Sequence, residues 1–242
     1  MTTTDAQTKM TSGSAALGFA AVIALAIVLF VICAVIVMPF VPDDSYVTFR
    51  YAEQFAEGNG FAYNTGGEPV EGYSNFLWVM AAAAAHTSGK DLPTAMPWIG
   101  VLIGALNVLL LAAIFYRGGF DWKQSMVPLL LFASAGPLVT WAGSGMETPL
   151  YSLVLLFAIL CFDGVATRGS IFWYIALGVA GILAALCRPE GILVFPALVV
   201  MLALVRGGST GGAVYSLPRR TGMTASIAVF LIGVVAYTVW RV

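Results

Sequence analysis

The sequence predicts an all-α polytopic membrane protein, and three observations carry that prediction. Sixty per cent of its 242 residues are hydrophobic and 10% are charged, against about a quarter charged in a soluble domain. Mean hydropathy is +0.93. The apolar residues gather in long runs separated by short polar loops, with one long polar passage, residues 41–78, near the start. A net charge of −1 and the lack of a basic cluster argue against nucleic acid as a partner. Cys33, Cys161 and Cys187 lie inside apolar runs without CxxC spacing, so they read as small buried hydrophobes rather than disulfide or metal ligands.

Taken in order, residues 1–14 form a Thr/Ser-rich tail with Asp5 and Lys9, expected to be disordered and cytoplasmic. Residues 15–41 are too long for the core of a cleaved signal peptide and lack a small-x-small cleavage site, so they predict a retained anchor helix. Lys9 favours a cytoplasmic N-terminus. Asp43 and Asp44 follow at once, where an ionisable group at a bilayer boundary is by default functional. Residues 45–57 have helical spacing, with Val47, Tyr51 and Phe55 as the apolar stripe, Asp44 as a candidate cap and Gly58-Asn59-Gly60 as the stop. This predicts an amphipathic helix lying along the interface. Residues 61–71 are a turn-rich connector. Residues 74–86 are apolar again, but a crossing needs about 20 residues, so they predict a re-entrant or interfacial helix. Further apolar runs cover roughly 96–116, 125–142, 149–162, 171–186, 192–205 and 223–240.

The loop charges choose the topology. If residues 74–86 do not cross, Lys9, Arg117, Lys123, Arg168, Arg206, Arg219 and Arg220 share one side with Asp5, Asp121 and Asp163. The other side then carries Asp43, Asp44, Glu53, Glu57, Glu68, Glu71, Asp91, Glu147 and Glu190 with Arg50, Lys90, Arg188 and Arg241. If those residues do cross, the later positive charge moves outside. The positive-inside rule therefore selects about seven transmembrane helices with the acidic loops extracytoplasmic. This topology brings Asp43-Asp44, Ser144-Gly145-Met146-Glu147-Thr148 and Arg188-Pro189-Glu190-Gly191 to one face. Pro149 suits the first turn of a helix whose dipole favours the Glu147 carboxylate, and Pro189 starts a helix directly after Arg188.

The ordered pieces DDSYVTFRYA, GNGFAYN, EGYSNFLW, SGMETPLY and LCRPEG carry a resemblance. Over residues 41–191 the chain resembles the membrane glycosyltransferases of the C-type fold (GT-C) that use polyprenyl-phosphate sugars, in particular the actinobacterial terminal arabinofuranosyltransferases. The resemblance implies a cell-membrane enzyme with an extracytoplasmic first loop, here residues 41–90, that holds the catalytic acid within a module spanning 15–242. It implies a polyprenyl-phosphate sugar as donor, a cell-envelope glycan as acceptor and arabinofuranose as the sugar. Such enzymes normally continue past the seventh helix, so the resemblance implies the N-terminal part of a longer enzyme.

Transfer to a hydroxyl needs a base, while the leaving phosphate needs no strong acid. Asp43 or Asp44 meets the need for a base at the depth of a lipid head group; Asp43 is favoured because Asp44 is also the candidate cap. Adjacent like charges push their pKa values apart, so one can act as base while the other holds a hydroxyl or a cation. The pair suits a divalent ion, but no complete ligand set is visible. Arg188, and Arg50 one helical face along from the aspartates, are candidates to hold the phosphate. Glu147, Glu190, Tyr73 and Asn75 are candidates for sugar contacts or for orienting those arginines. Each has a plainer reading: a helix boundary for the aspartates, a structural ion pair for Arg188 and Glu190, dipole complementation for Glu147, an aromatic belt for Tyr73 and Trp78, and an interfacial position for His86. A transporter would place its charges near mid-bilayer on broken helices, whereas these sit at helix ends. A lipid-binding module without turnover remains the alternative.

Overall fold

The computed structural model describes residues 3–38, 40–66, 70, 72–204, 208–210, 213–215 and 220–241. Helix α1 spans Thr3–Val37, α2 Asp43–Ala56, α3 Phe76–Thr87, α4 Leu92–Arg117, α5 Trp122–Ala133, α6 Gly136–Gly143, α7 Thr148–Arg168 and α8 Ile171–Cys187. A 3-10 turn, Pro189–Leu193, leads into α9, Val194–Leu204, and α10 spans Arg220–Arg241. Between them β1 (Gly208–Thr210) and β2 (Ala213–Tyr215) pair antiparallel. The protein is thus a helical membrane protein. Helices α1, α4, α7 and α10 are long and apolar enough to cross a membrane, and the bent pair α5–α6 makes a fifth candidate, while α3, α8 and the segment 189–204 are shorter. Arg206, Arg219, Glu68 and Glu71 of the charge count lie outside the described residues.

Several elements differ from expectation. Helix α1 begins at Thr3, so the backbone of residues 3–14, expected to be disordered, continues the helix. No proline interrupts it, and extending an existing helix avoids the cost of a new nucleus. The run 125–142 is two helices bent by 50°. Pro137, in the first turn of α6, cannot donate, and its ring would clash with the carbonyl four residues back at Ala133, the last residue of α5. Helix α4 starts earlier than its apolar run because Asp91 caps it, accepting from the Thr94 amide at 3.2 Å and the Thr94 hydroxyl at 2.6 Å.

Most helices bury one narrow stripe and leave the rest exposed. In α1 the buried residues are Val22, Ala26, Phe30 and Ala34, four apart, packed on α4, α5 and α6. A second cluster joins α2, α3 and the start of α4 through Phe49, Tyr51, Trp78, Leu92 and Met96. A third joins α7, α8, α9 and α10 through Val165, Leu177, Phe195 and Phe230, with Phe195 stacked on Phe230 at 4.4 Å.

Contacts define two ends of the bundle. At one, the Phe19 and Tyr116 rings meet at 5.7 Å, the Arg117 Nη2 donates to Asp163 Oδ2 at 3.0 Å, and the Trp173 ring lies under Arg117 at 5.1 Å and Arg168 at 5.8 Å. Arg117, Asp163 and Arg168, assigned to one side by the charge count, are therefore neighbours. At the other end lie α2, α3, the α6–α7 loop and the turn after α8. Helix α3 runs beside α2 along its length: Asn75 meets Thr48 near their starts, and His86 Nε2 lies 4.0 Å from Glu57 Oε1 near their ends. Both short helices stay at that second end.

Candidate functional site

Three separate segments meet at the second end of the bundle. The α6–α7 loop, residues 144–147, is the centrepiece. Gly145 adopts φ +79°, which favours glycine, and its carbonyl accepts the Trp78 indole N–H at 2.7 Å. The Ser144 carbonyl accepts the Ser45 hydroxyl at 3.0 Å. These two buried bonds tie the loop to α3 and to the first turn of α2. Glu147 follows at the N-cap of α7 with 4% of its surface exposed, and Pro149 sits in that helix's first turn.

The buried Glu147 carboxylate is bound on both oxygens. Its Oε2 accepts from the Asn75 amide at 3.0 Å, and the same Asn75 nitrogen lies 3.1 Å from the Thr48 hydroxyl. Its Oε1 pairs with Arg188 Nε at 3.4 Å. Arg188 stands at the C-cap of α8, where it also pairs with Glu190 Oε1 at 3.2 Å and lies 5.8 Å from the Tyr151 ring centroid. Both acid contacts reach Nε, one of three nitrogens in a guanidinium that carries five N–H donors. The structure therefore brings Asn75, Glu147, Arg188 and Glu190 into one connected set. It attaches that set, through Thr48 and Ser45, to the helix that begins with Asp43 and Asp44.

The aspartates are exposed in the first turn of α2. Asp44 is not the cap, because Pro42 holds that position with extended backbone, φ −73° and ψ 158°, and no side chain caps the helix. Both carboxylates instead sit among the first free N–H groups, where the helix dipole favours negative charge. Among the described residues neither has a hydrogen bond or ion pair.

Arg50 and Tyr73 are placed elsewhere. The Arg50 Nε donates to the Tyr63 carbonyl at 3.0 Å, and its Nη1 lies 3.6 Å from Glu53, so it orders the connector rather than the aspartate pair. Helical spacing places Arg50 one helical face along from the aspartates, but its Nε takes the connector's Tyr63 carbonyl as acceptor. Tyr73, a candidate for a sugar contact with an aromatic belt as its plainer reading, and Trp78, a belt candidate, are both buried. Tyr73 packs on Tyr51 at 5.1 Å and Phe61 at 5.0 Å, with Arg241 5.9 Å from its centroid. Burial, reinforced by Tyr237 and Tyr51, pushes its hydroxyl up to about 12, which keeps it protonated. The buried face of α2 also departs from the expected stripe, comprising Ser45, Thr48, Phe49, Tyr51, Ala52 and Gln54, with Val47 and Phe55 only partly buried. Ser45, Thr48 and Trp78 are the site residues that apolar periodicity could not reveal, because their task is to pair polar atoms.

Gly191 fixes the turn that carries Arg188 and Glu190. A Cβ there would stand 1.9 Å from the Ala184 carbonyl oxygen, so only glycine allows the turn to fold back on α8. Gly191→Ala is expected to destabilise the protein by about 1–3 kcal/mol through overpacking. A lowered thermal midpoint in detergent checks it, and an unchanged midpoint would show that the turn relaxes freely. Beside this turn, a cavity of about 180 Å³ is lined by Ile182, Leu186, Pro189, Ile192, Val234 and Arg241 among others. Among the described residues no group of three or more His, Cys, Asp or Glu side chains is arranged to hold a metal ion. No known protein family, curated protein or solved structure matches the chain.

Proposed function

We propose that the chain is a membrane glycosyltransferase module that moves a sugar from a polyprenyl-phosphate donor to a hydroxyl of a cell-envelope glycan, on the extracytoplasmic side of the cell membrane. One observation carries the reading: the set formed by buried Asn75 and Glu147 with the partly exposed Arg188 is bonded to the helix that opens with two exposed carboxylates. That arrangement offers both groups the transfer requires. Asp43 or Asp44 takes the acceptor proton as its oxygen attacks the anomeric carbon. The bond to the phosphate breaks, and the charge that gathers on the phosphate oxygens meets Arg188 through charge-assisted hydrogen bonds. Glu147, itself held by Asn75, holds Arg188 in place from the inner side. The neighbouring apolar cavity, with Arg241 among its lining residues, suits part of a lipid chain beside an anionic head group. Arabinofuranose as the sugar rests on the resemblance of residues 41–191.

In this reading the chain crosses the bilayer seven times. Helices α1, α4, α5–α6, α7, α8, the 189–204 segment and α10 each make one crossing, while α2 and α3 lie at the extracytoplasmic interface. The gathering of Arg117 and Arg168 at the opposite end supports a cytoplasmic placement for that end. At 1.5 Å per residue, the 17 residues of α8 reach about 25 Å, close to the ~30 Å hydrocarbon core.

A module that binds lipid-linked sugar without turning it over is favoured by one observation: no described side chain orients either aspartate. The test is transfer of label from a radiolabelled polyprenyl-phosphate arabinofuranose to an arabinan oligosaccharide by the chain in vesicles. Labelled glycan supports the transferase, whereas bound donor without labelled glycan supports the binding module. Neither binding nor transfer would overturn both.

A further inference from the structure

Both present partners of Arg188 meet it at Nε, so a phosphate that binds the guanidinium side-on through that nitrogen displaces one of them, and the two are not equally replaceable. Glu147 has 5% of its side chain exposed, and its second oxygen is engaged by Asn75. Removing it from Arg188 would strand a buried charge. Glu190 has 56% of its side chain exposed, and among the described residues Arg188 is its one hydrogen-bond or ion-pair partner. Gly191 pins the backbone of the turn against Ala184, so Glu190 leaves Arg188 by rotating its side chain alone.

We propose that Glu190 is an internal competitor for the anionic group of the ligand: its carboxylate holds the place on Arg188 that a lipid phosphate takes, and swings into water when the phosphate arrives. This rests on the reading of Arg188 as the phosphate anchor. The cluster of Glu147, Arg188 and Glu190 carries a formal charge of −1, which opposes an incoming phosphate. Exchanging one exposed carboxylate for the phosphate removes that opposition while the Glu147–Arg188 pair stays intact. Exposed ion pairs are weak, so the exchange is easily made and the competition it sets is modest.

The test is titration of farnesyl phosphate, with farnesol as the uncharged comparison, into the full chain in uncharged detergent, read by tryptophan fluorescence. Glu190→Gln is expected to bind farnesyl phosphate about two- to fivefold more tightly than the wild type, the fold-change that corresponds to losing a weak exposed competitor. Farnesol should bind all variants alike. Arg188→Gln, which keeps a donor for Glu147, should bind farnesyl phosphate more weakly than either. Equal or weaker binding by Glu190→Gln, alongside loss of binding in Arg188→Gln, would overturn the competitor while leaving the anchor standing. Tightening of farnesol as much as of its phosphate would also overturn it. Undiminished binding by Arg188→Gln would remove the anchor itself, and with it the site reading on which this inference rests.

Discussion

Turnover of a polyprenyl-phosphate sugar is expected to fall by about 10²–10⁴-fold when Asp43 and Asp44 are both replaced by asparagine, the contribution of a positioned base. Donor binding should stay intact. Asparagine preserves shape but cannot accept the acceptor's proton. The fold should tolerate the change, since both side chains are exposed and the cap of α2 is Pro42 rather than either aspartate. The cost to the helix is limited to lost dipole complementation, about 0.3–1 kcal/mol for each charge. Initial rates of label transfer, measured beside donor binding, check the prediction. The single variants then assign the base, because the residue whose loss alone reproduces the double variant performs the proton transfer. Transfer at the wild-type rate by the double variant would place the base elsewhere.

The second large effect is on stability. Arg188→Leu leaves the Glu147 carboxylate buried with Asn75 as its remaining partner. Breaking one side of a buried pair costs about 3–5 kcal/mol, and the lower end applies because Arg188 itself is partly exposed. About 3 kcal/mol corresponds to a midpoint lowered by about 6–12 °C for a chain of this size. Adding Glu147→Gln should recover part of the loss, since the stranded charge is then gone. The double-mutant cycle isolates that coupling. Additive losses would show that the two side chains do not depend on each other. Gly191→Ala disturbs the same turn through its backbone, so it should lower stability without stranding a charge.

The sequence made legible what depends on counting and on punctuation. Apolar runs located the long helices, the stop at Gly58-Asn59-Gly60 marked the end of α2, and Pro149 and Pro189 marked starts that the structure contains. Loop charges grouped Glu147 with Arg188, which are paired, and Arg117 with Asp163, which are paired as well. What remained hidden has a common cause. Periodicity reports which face of a helix is greasy, but it does not report which polar atom another segment will supply. The amphipathic rings of Trp78 and Tyr73 suit an interface. They are buried because the Gly145 carbonyl receives the Trp78 N–H and an aromatic cluster encloses Tyr73. Arg50 carries the right charge on the right helix, yet its Nε donates to the Tyr63 carbonyl. The bend between α5 and α6 was encoded by Pro137 inside an apolar run, where composition outweighed one missing donor.

Helix α10 bears on the order in which this end of the bundle is covered. Phe61 and Phe76, in and just after the connector of the first loop, meet Trp240 at 5.6 Å and 5.4 Å, and Phe76 meets Tyr237 at 5.1 Å. These partners lie at opposite ends of the 242-residue chain, and contacts so distant in sequence form late. During synthesis the first loop therefore emerges long before its aromatic cover exists. The end of the bundle that carries the polar cluster lacks this cover until α10 is inserted, so a helix made much later shields a loop made early.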